Sequence, residues 1–132
     1  MDESYNASVP SVRAALAVLR LQPARRRIAV LGDMLELGAE GPAEHLSLAA
    51  DVAGAADLLF ACGPLMRGLH EAIPAARRGG HAADSATLAT MLATAVRDGD
   101  AILVKGSLGS RMRAIVDALE ANAELSGAEQ RR

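Results

Sequence analysis

Ile28, Ala29, Val30 and Leu31 form an unbroken apolar run, entered from Arg25, Arg26 and Arg27 and closed by Gly32 and Asp33. A run with no polar face suits a strand covered by helices on both sides, as in the parallel sheets of α/β proteins. Residues 58–61 and 101–104 repeat the pattern, the first closing on Cys62 and Gly63, the second on Lys105 and Gly106. A weaker strand is placed around His81 and Ala82.

Helical spacing fills the intervals. Val12, Ala15, Leu16 and Leu19 share a face over residues 10–20, with Ser8 as N-cap and Pro10 in the first turn. Further helices are expected over residues 42–53, 64–72 and 111–121, and from Asp84 or Ser85 to residue 97. Arg77 and Arg78 read as a solvated loop. Strands alternating with helices at this spacing predict a three-layer, Rossmann-like α/β domain with a mostly parallel sheet.

Composition narrows the function classes. Only one Tyr and one Phe are present among 132 residues that are 51% apolar, so the core is aliphatic and its helices pack closely. A net charge of −2 offers nucleic acid no basic surface. A single cysteine excludes an internal disulfide and accords with a reducing, cytoplasmic setting. No signal-peptide pattern is visible, and no apolar run approaches the roughly 20 residues of a membrane span.

Ligands of open α/β sheets sit beyond the carboxyl ends of the strands. Three loops occupy that position here: Gly32-Asp33, Cys62-Gly63 and residues 105–110. In the last, Gly106 and Gly109 let backbone approach a ligand, Ser107 and Ser110 add hydroxyls, and Lys105 adds charge before a helix start. That pattern is either an anion-binding loop or a glycine turn with capping serines. Asp33 either orients a ligand or basic group, or caps the turn that follows it. Cys62 reads as a small buried hydrophobe. His45, His70 and His81 lack the spacing of metal ligands, so no metal site is expected. Neither G-x-x-x-x-G-K-[ST] nor G-x-G-x-x-G occurs, so no triphosphate cradle or dinucleotide fingerprint is present.

Three blocks resemble a known family. Asp2-Glu3-Ser4-Tyr5-Asn6-Ala7, then Ser11 and Arg13-Ala14-Ala15-Leu16, is similar to the D-[DE]-S-Y-N-A-N-P-x-S-M-x-A-A-L segment of the Mur ligases. Arg27-Ile28-Ala29-Val30-Leu31-Gly32-Asp33-Met34-Leu35-Glu36-Leu37-Gly38 with His45, and Val104-Lys105-Gly106-Ser107 with Gly109, Arg111 and Met112, resemble two further blocks of one branch. That branch uses ATP to join D-Ala-D-Ala to UDP-N-acetylmuramoyl-tripeptide in peptidoglycan synthesis. The chain departs from the family at Ser8-Val9, where Asn-Pro is usual, and at Val12, where Met is usual.

The resemblance implies that residues 1–122 are the C-terminal domain of such a ligase, with its first strand truncated and residues 123–132 as a polar tail. It implies that Asp2, Tyr5 and Asn6 face the nucleotide. It puts Asp33, Lys105 and Ser107 on the dipeptide side. ATP and Mg would be held mainly by domains outside this chain, which would carry no catalytic residue and be inactive alone. Partners would be ATP, D-Ala-D-Ala and UDP-N-acetylmuramoyl-tripeptide, with no nucleic acid and no membrane insertion. From the residues alone, a free-standing anion-binding module and a structural docking domain stay open.

Overall fold

A computed structural model describes residues 8–35, 37–107 and 111–127, with the side chains of 122–127 left aside. Asp2, Tyr5 and Asn6 lie outside the described residues. Four strands form one all-parallel sheet: β1 (Arg26–Gly32), β2 (Leu58–Cys62), β3 (Arg78–Ala82) and β4 (Asp100–Lys105), in the order β3-β2-β1-β4. The three runs predicted as strands are therefore parallel partners in one sheet. β1 is flanked by β2 and β4, Ile28 pairing with Leu58 and Ile102.

β1 shows why its run has no polar residue. Ala29 and Leu31 face a core built with α1 (Val9–Arg20), α3 (Ala49–Ala55) and α4 (Pro64–Ala72). Ile28 and Val30 face a second core formed with α5 (Ser85–Ala95) and α6 (Arg113–Gly127). The layers are thus helix, sheet, helix, as expected. The cores are aliphatic except for Phe60, and Met34, Met66 and Met112 are almost wholly buried.

α1 begins where Ser8 was expected to cap it. The Ser8 hydroxyl accepts from the Ser11 N–H at 3.3 Å, and the Ser11 hydroxyl accepts from the Ser8 N–H at 2.8 Å. This reciprocal pair forms a capping box with a serine in the usual Glu position.

Four local expectations are corrected. The helix expected over residues 42–53 is two, α2 (Gly41–Leu46) and α3, broken at Ser47 and Leu48. There the Ser47 hydroxyl bonds back to the Glu44 carbonyl at 2.6 Å, competing with the helical pattern. The strand near His81 begins earlier, at Arg78, and includes the two glycines that look like breakers. A Cβ on Gly79 would fall 2.5 Å from the Phe60 ring, and one on Gly80 would overlap the Met91 methyl. Close approach to neighbours, not strand propensity, sets those residues.

Arg77 and Arg78 are not a solvated loop either. Arg77 donates to the Ala56 carbonyl at 2.6 Å, and Arg78 to those of Ile73 and Glu71 at 3.2 and 2.7 Å. Lastly, α6 starts two residues later than expected and continues to Gly127, six residues beyond the expected end.

Candidate functional site

The carboxyl-terminal edge of the sheet gathers Gly32-Asp33, Cys62-Gly63 and residues 105–107, the described part of the third loop. Leu31 is in register with Lys105, so Asp33 and the residues after Lys105 leave neighbouring strands at the same edge. Hydrogen bonds then tie the two loops together. The Ser107 N–H donates to the Asp33 carbonyl at 3.2 Å, and the Leu35 N–H donates to the Ser107 hydroxyl at 3.0 Å. Asp33, Lys105 and Ser107 are 3%, 5% and 7% exposed, so all three are built into the edge rather than standing free of it.

The Asp33 carboxylate caps a helix, but not one in the turn that follows it. Its two oxygens accept the N–H groups of Leu65 and Met66, at 3.0 and 2.9 Å, in the first turn of α4. Those amides have no partner within the helix, and a carboxylate also suits the positive end of its dipole. α4 has no cap of its own, because its N-cap residue is Gly63. Gly63 has φ +104, and a Cβ there would overlap the Asp33 carboxylate. Glycine at 63 and aspartate at 33 are therefore one device.

His45 completes the arrangement. Its ring is fully buried; Nε2 accepts the Met34 N–H at 2.8 Å, and Nδ1 donates to the Gly41 carbonyl at 2.6 Å. Accepting at Nε2 requires the tautomer with its proton on Nδ1. The imidazole thus pins the segment after β1 to α2. Reasoning about histidines only as metal ligands missed this. The usable signal was a single histidine on a short helix downstream of a polar strand end.

β2 and β3 end beside these loops. The Gly63 N–H donates to the Ala82 carbonyl at 3.0 Å, and His81 Nε2 donates to the Gly63 carbonyl at 2.7 Å. Asp84 caps α5, accepting the Thr87 N–H at 2.7 Å. That backbone bond, helped by the Thr87 side chain, holds the Asp84 carboxyl below its ordinary range. Burial, with smaller contributions from Asp33 and Asp84, pushes the Cys62 thiol up to about 11, so no reactive thiolate forms at neutral pH. Its sulfur lies 3.7 Å from that of Met112.

Over these strand ends lies a cleft of about 260 Å³, with Asp33, Gly63, Asp84, Ser85 and Arg111 among its lining residues. Asp84, Ser85 and Arg111 were not singled out as site residues from the sequence. Lys105 and Ser107 are adjacent to this region but do not line the cleft. Among the described residues, no three His, Cys, Asp or Glu come together in a way that could hold a metal ion. No described helix is long and apolar enough to cross a membrane.

A family model for the Mur ligase, glutamate ligase domain, matches residues 3–108. UDP-N-acetylmuramoyl-tripeptide--D-alanyl-D-alanine ligase of Escherichia coli strain K12 is 40% identical over 126 residues, covering 92% of this chain and 27% of that protein. The enzyme of the same name from Synechocystis is 37% identical over 90% of this chain and 27% of its own length. Among solved structures, MurF ligase from Thermotoga maritima in complex with ADP superimposes with a TM-score of 0.77 at 26% identity, over 96% of this chain and 29% of that one. MurF from Acinetobacter baumannii gives 0.76 at 28% identity, over 90% and 27%. The chain therefore spans little more than a quarter of the length of these relatives. A match over residues 3–108, on the three-layer fold those ligases share, makes the chain a member of the Mur ligase family, in its glutamate ligase domain.

Proposed function

We propose that this chain is the C-terminal domain of an ATP-dependent ligase that adds D-Ala-D-Ala to UDP-N-acetylmuramoyl-tripeptide during peptidoglycan synthesis in the cytoplasm. The observation that supports it most is the likeness, over nine-tenths of the chain, to ligases named for that reaction. Residues 1–122 would be the domain body and 123–132 its tail.

In this reading Asp2, Tyr5 and Asn6 face the nucleotide, and Asp33, Lys105 and Ser107 belong to the dipeptide side. The geometry gives Asp33 and Ser107 a means of acting there. Asp33 holds the start of α4 against the cleft, and Ser107 holds Leu35, which lines it. Both are thus positioning residues. ATP suits the family, since the Thermotoga relative was solved with ADP. The described residues contain neither a phosphate cradle nor a cluster of metal ligands, so ATP and Mg would be held mainly by the rest of the enzyme.

Phosphoryl transfer depends on positioning and on neutralising phosphate charge, and these residues alone supply little of either. The purified chain should therefore release no phosphate from ATP in the presence of tripeptide and dipeptide. The full-length ligase carrying it should do so only when D-Ala-D-Ala or a near relative is supplied. Turnover by the chain alone, or micromolar ATP binding to it in calorimetry, would contradict this division of labour. A full-length enzyme indifferent to D-Ala-D-Ala would contradict the substrate.

A further inference from the structure

Asp33 spends both carboxylate oxygens on α4, and Asp84 spends one on α5. Lys105, the cation favoured by sequence, is 5% exposed and does not line the cleft. Arg111 is the one basic side chain among the described lining residues, and it is exposed. Its guanidinium has no hydrogen bond or ion pair with another described residue.

The backbone beneath Arg111 is held in an unusual way. Its φ is +61, making it the one described residue other than glycine in the left-handed region. The next residue, Met112, is fully buried and meets Cys62 at the end of β2. The Arg111 carbonyl then accepts the Ala114 N–H at 3.2 Å as α6 begins. The buried Met112 and the helix start that follow Arg111 fix where its guanidinium originates, beside the cleft.

We propose that Arg111 is the specificity-determining residue for the carboxylate of the incoming dipeptide. This rests on the ligase reading above. In amide formation the dipeptide's amine is consumed in the new bond, so its carboxylate is the charged end left for recognition. A guanidinium presents paired N–H donors that match the two oxygens of a carboxylate, which a lysine ammonium does not. Asp33 and Asp84, both facing the cleft, would repel a carboxylate placed anywhere but against that cation.

The test compares D-Ala-D-Ala with its C-terminal amide in the full-length ligase, for the native protein, Arg111→Gln and Arg111→Lys. The native enzyme should show a KM about ten- to a hundredfold higher for the amide, the size of one charge-assisted interaction. Arg111→Gln should raise the KM for D-Ala-D-Ala by a similar factor and leave the amide's unchanged. Arg111→Lys should recover part of the difference. Equal losses on both substrates in Arg111→Gln would overturn the proposal, as would a native enzyme that does not distinguish acid from amide. A native enzyme that turns over neither compound would overturn the ligase reading itself, and with it this assignment.

Discussion

At the amino-terminal edge of the sheet, the Asp100 carboxylate meets a full positive charge. Its side chain is 2% exposed and takes two bonds from Arg26, at 2.9 and 2.8 Å. Arg26 also donates to the Ala95 carbonyl at 2.8 Å, and the Arg97 N–H donates to Asp100 at 2.7 Å. At the carboxyl-terminal edge, Asp33 is equally buried but among the described residues meets peptide N–H groups alone. One edge is closed by an ion pair between the first residues of β1 and β4, which pair in the sheet. The other keeps a cleft, and the carboxylate there is held by the end of a helix instead of a side-chain cation. The difference teaches where a ligand's charge can still enter the energetics.

The largest effect should come from breaking the closed edge. Arg26→Ala leaves Asp100 buried without its counter-ion, a change that costs about 3 kcal/mol in a partly exposed pair of this kind. Urea denaturation of the purified chain measures it. A loss below about 1 kcal/mol would mean that the two edges do not differ as described. In the ligase proposed above, the same substitution should leave the proposed preference for acid over amide intact, because Arg26 does not line the cleft.

Asp33→Ala should cost about 2 kcal/mol, by removing a helix cap and leaving two amides of α4 without acceptors. Asp33→Asn should cost less, since one oxygen remains to accept. Hydrogen exchange sharpens the comparison: the Leu65 and Met66 amides should lose protection in Asp33→Ala well before those of β1. Unchanged protection there would detach Asp33 from α4.

The smallest effect is acid sensitivity. Burial opposes ionisation of Asp100, but the bonds from Arg26 and from the Arg97 amide outweigh it, so its carboxyl sits below the ordinary range. A carboxyl whose pKa is lower folded than unfolded adds stability at every pH above the unfolded value, about 4. That stability is lost as pH falls below 4 and through the lowered value. The native chain should therefore lose thermal stability more steeply between pH 4 and pH 2 than Asp100→Asn does. Parallel acid profiles for the two would deny the ion pair a part in stability.

Much of this fold was legible in the sequence because hydrophobic pattern is a local property. The apolar runs of β1, β2 and β4 cannot face water on either side, and Ser8, Asp84 and Pro64 mark helix starts by chemistry confined to one turn. The common edge of Asp33 and Lys105 follows from the same pattern, since parallel strands end together. The Gly79-Gly80 strand was not legible, because what requires glycine there is Phe60 on another strand and Met91 on a helix.

The candidate site divides along the same line. The sequence by itself determined that Asp33, Lys105 and Ser107 would gather at the ends of parallel strands. Only the tertiary structure decided that Asp33 would cap α4 from 32 and 33 residues away, and that Ser107 would reach Leu35 across 72. It likewise buried Lys105 and His45 while leaving Arg111 at the cleft. The physical reason is that a polar group's partner is chosen by packing, which brings distant backbone amides within 3 Å, whereas burial of an apolar run needs no particular partner at all.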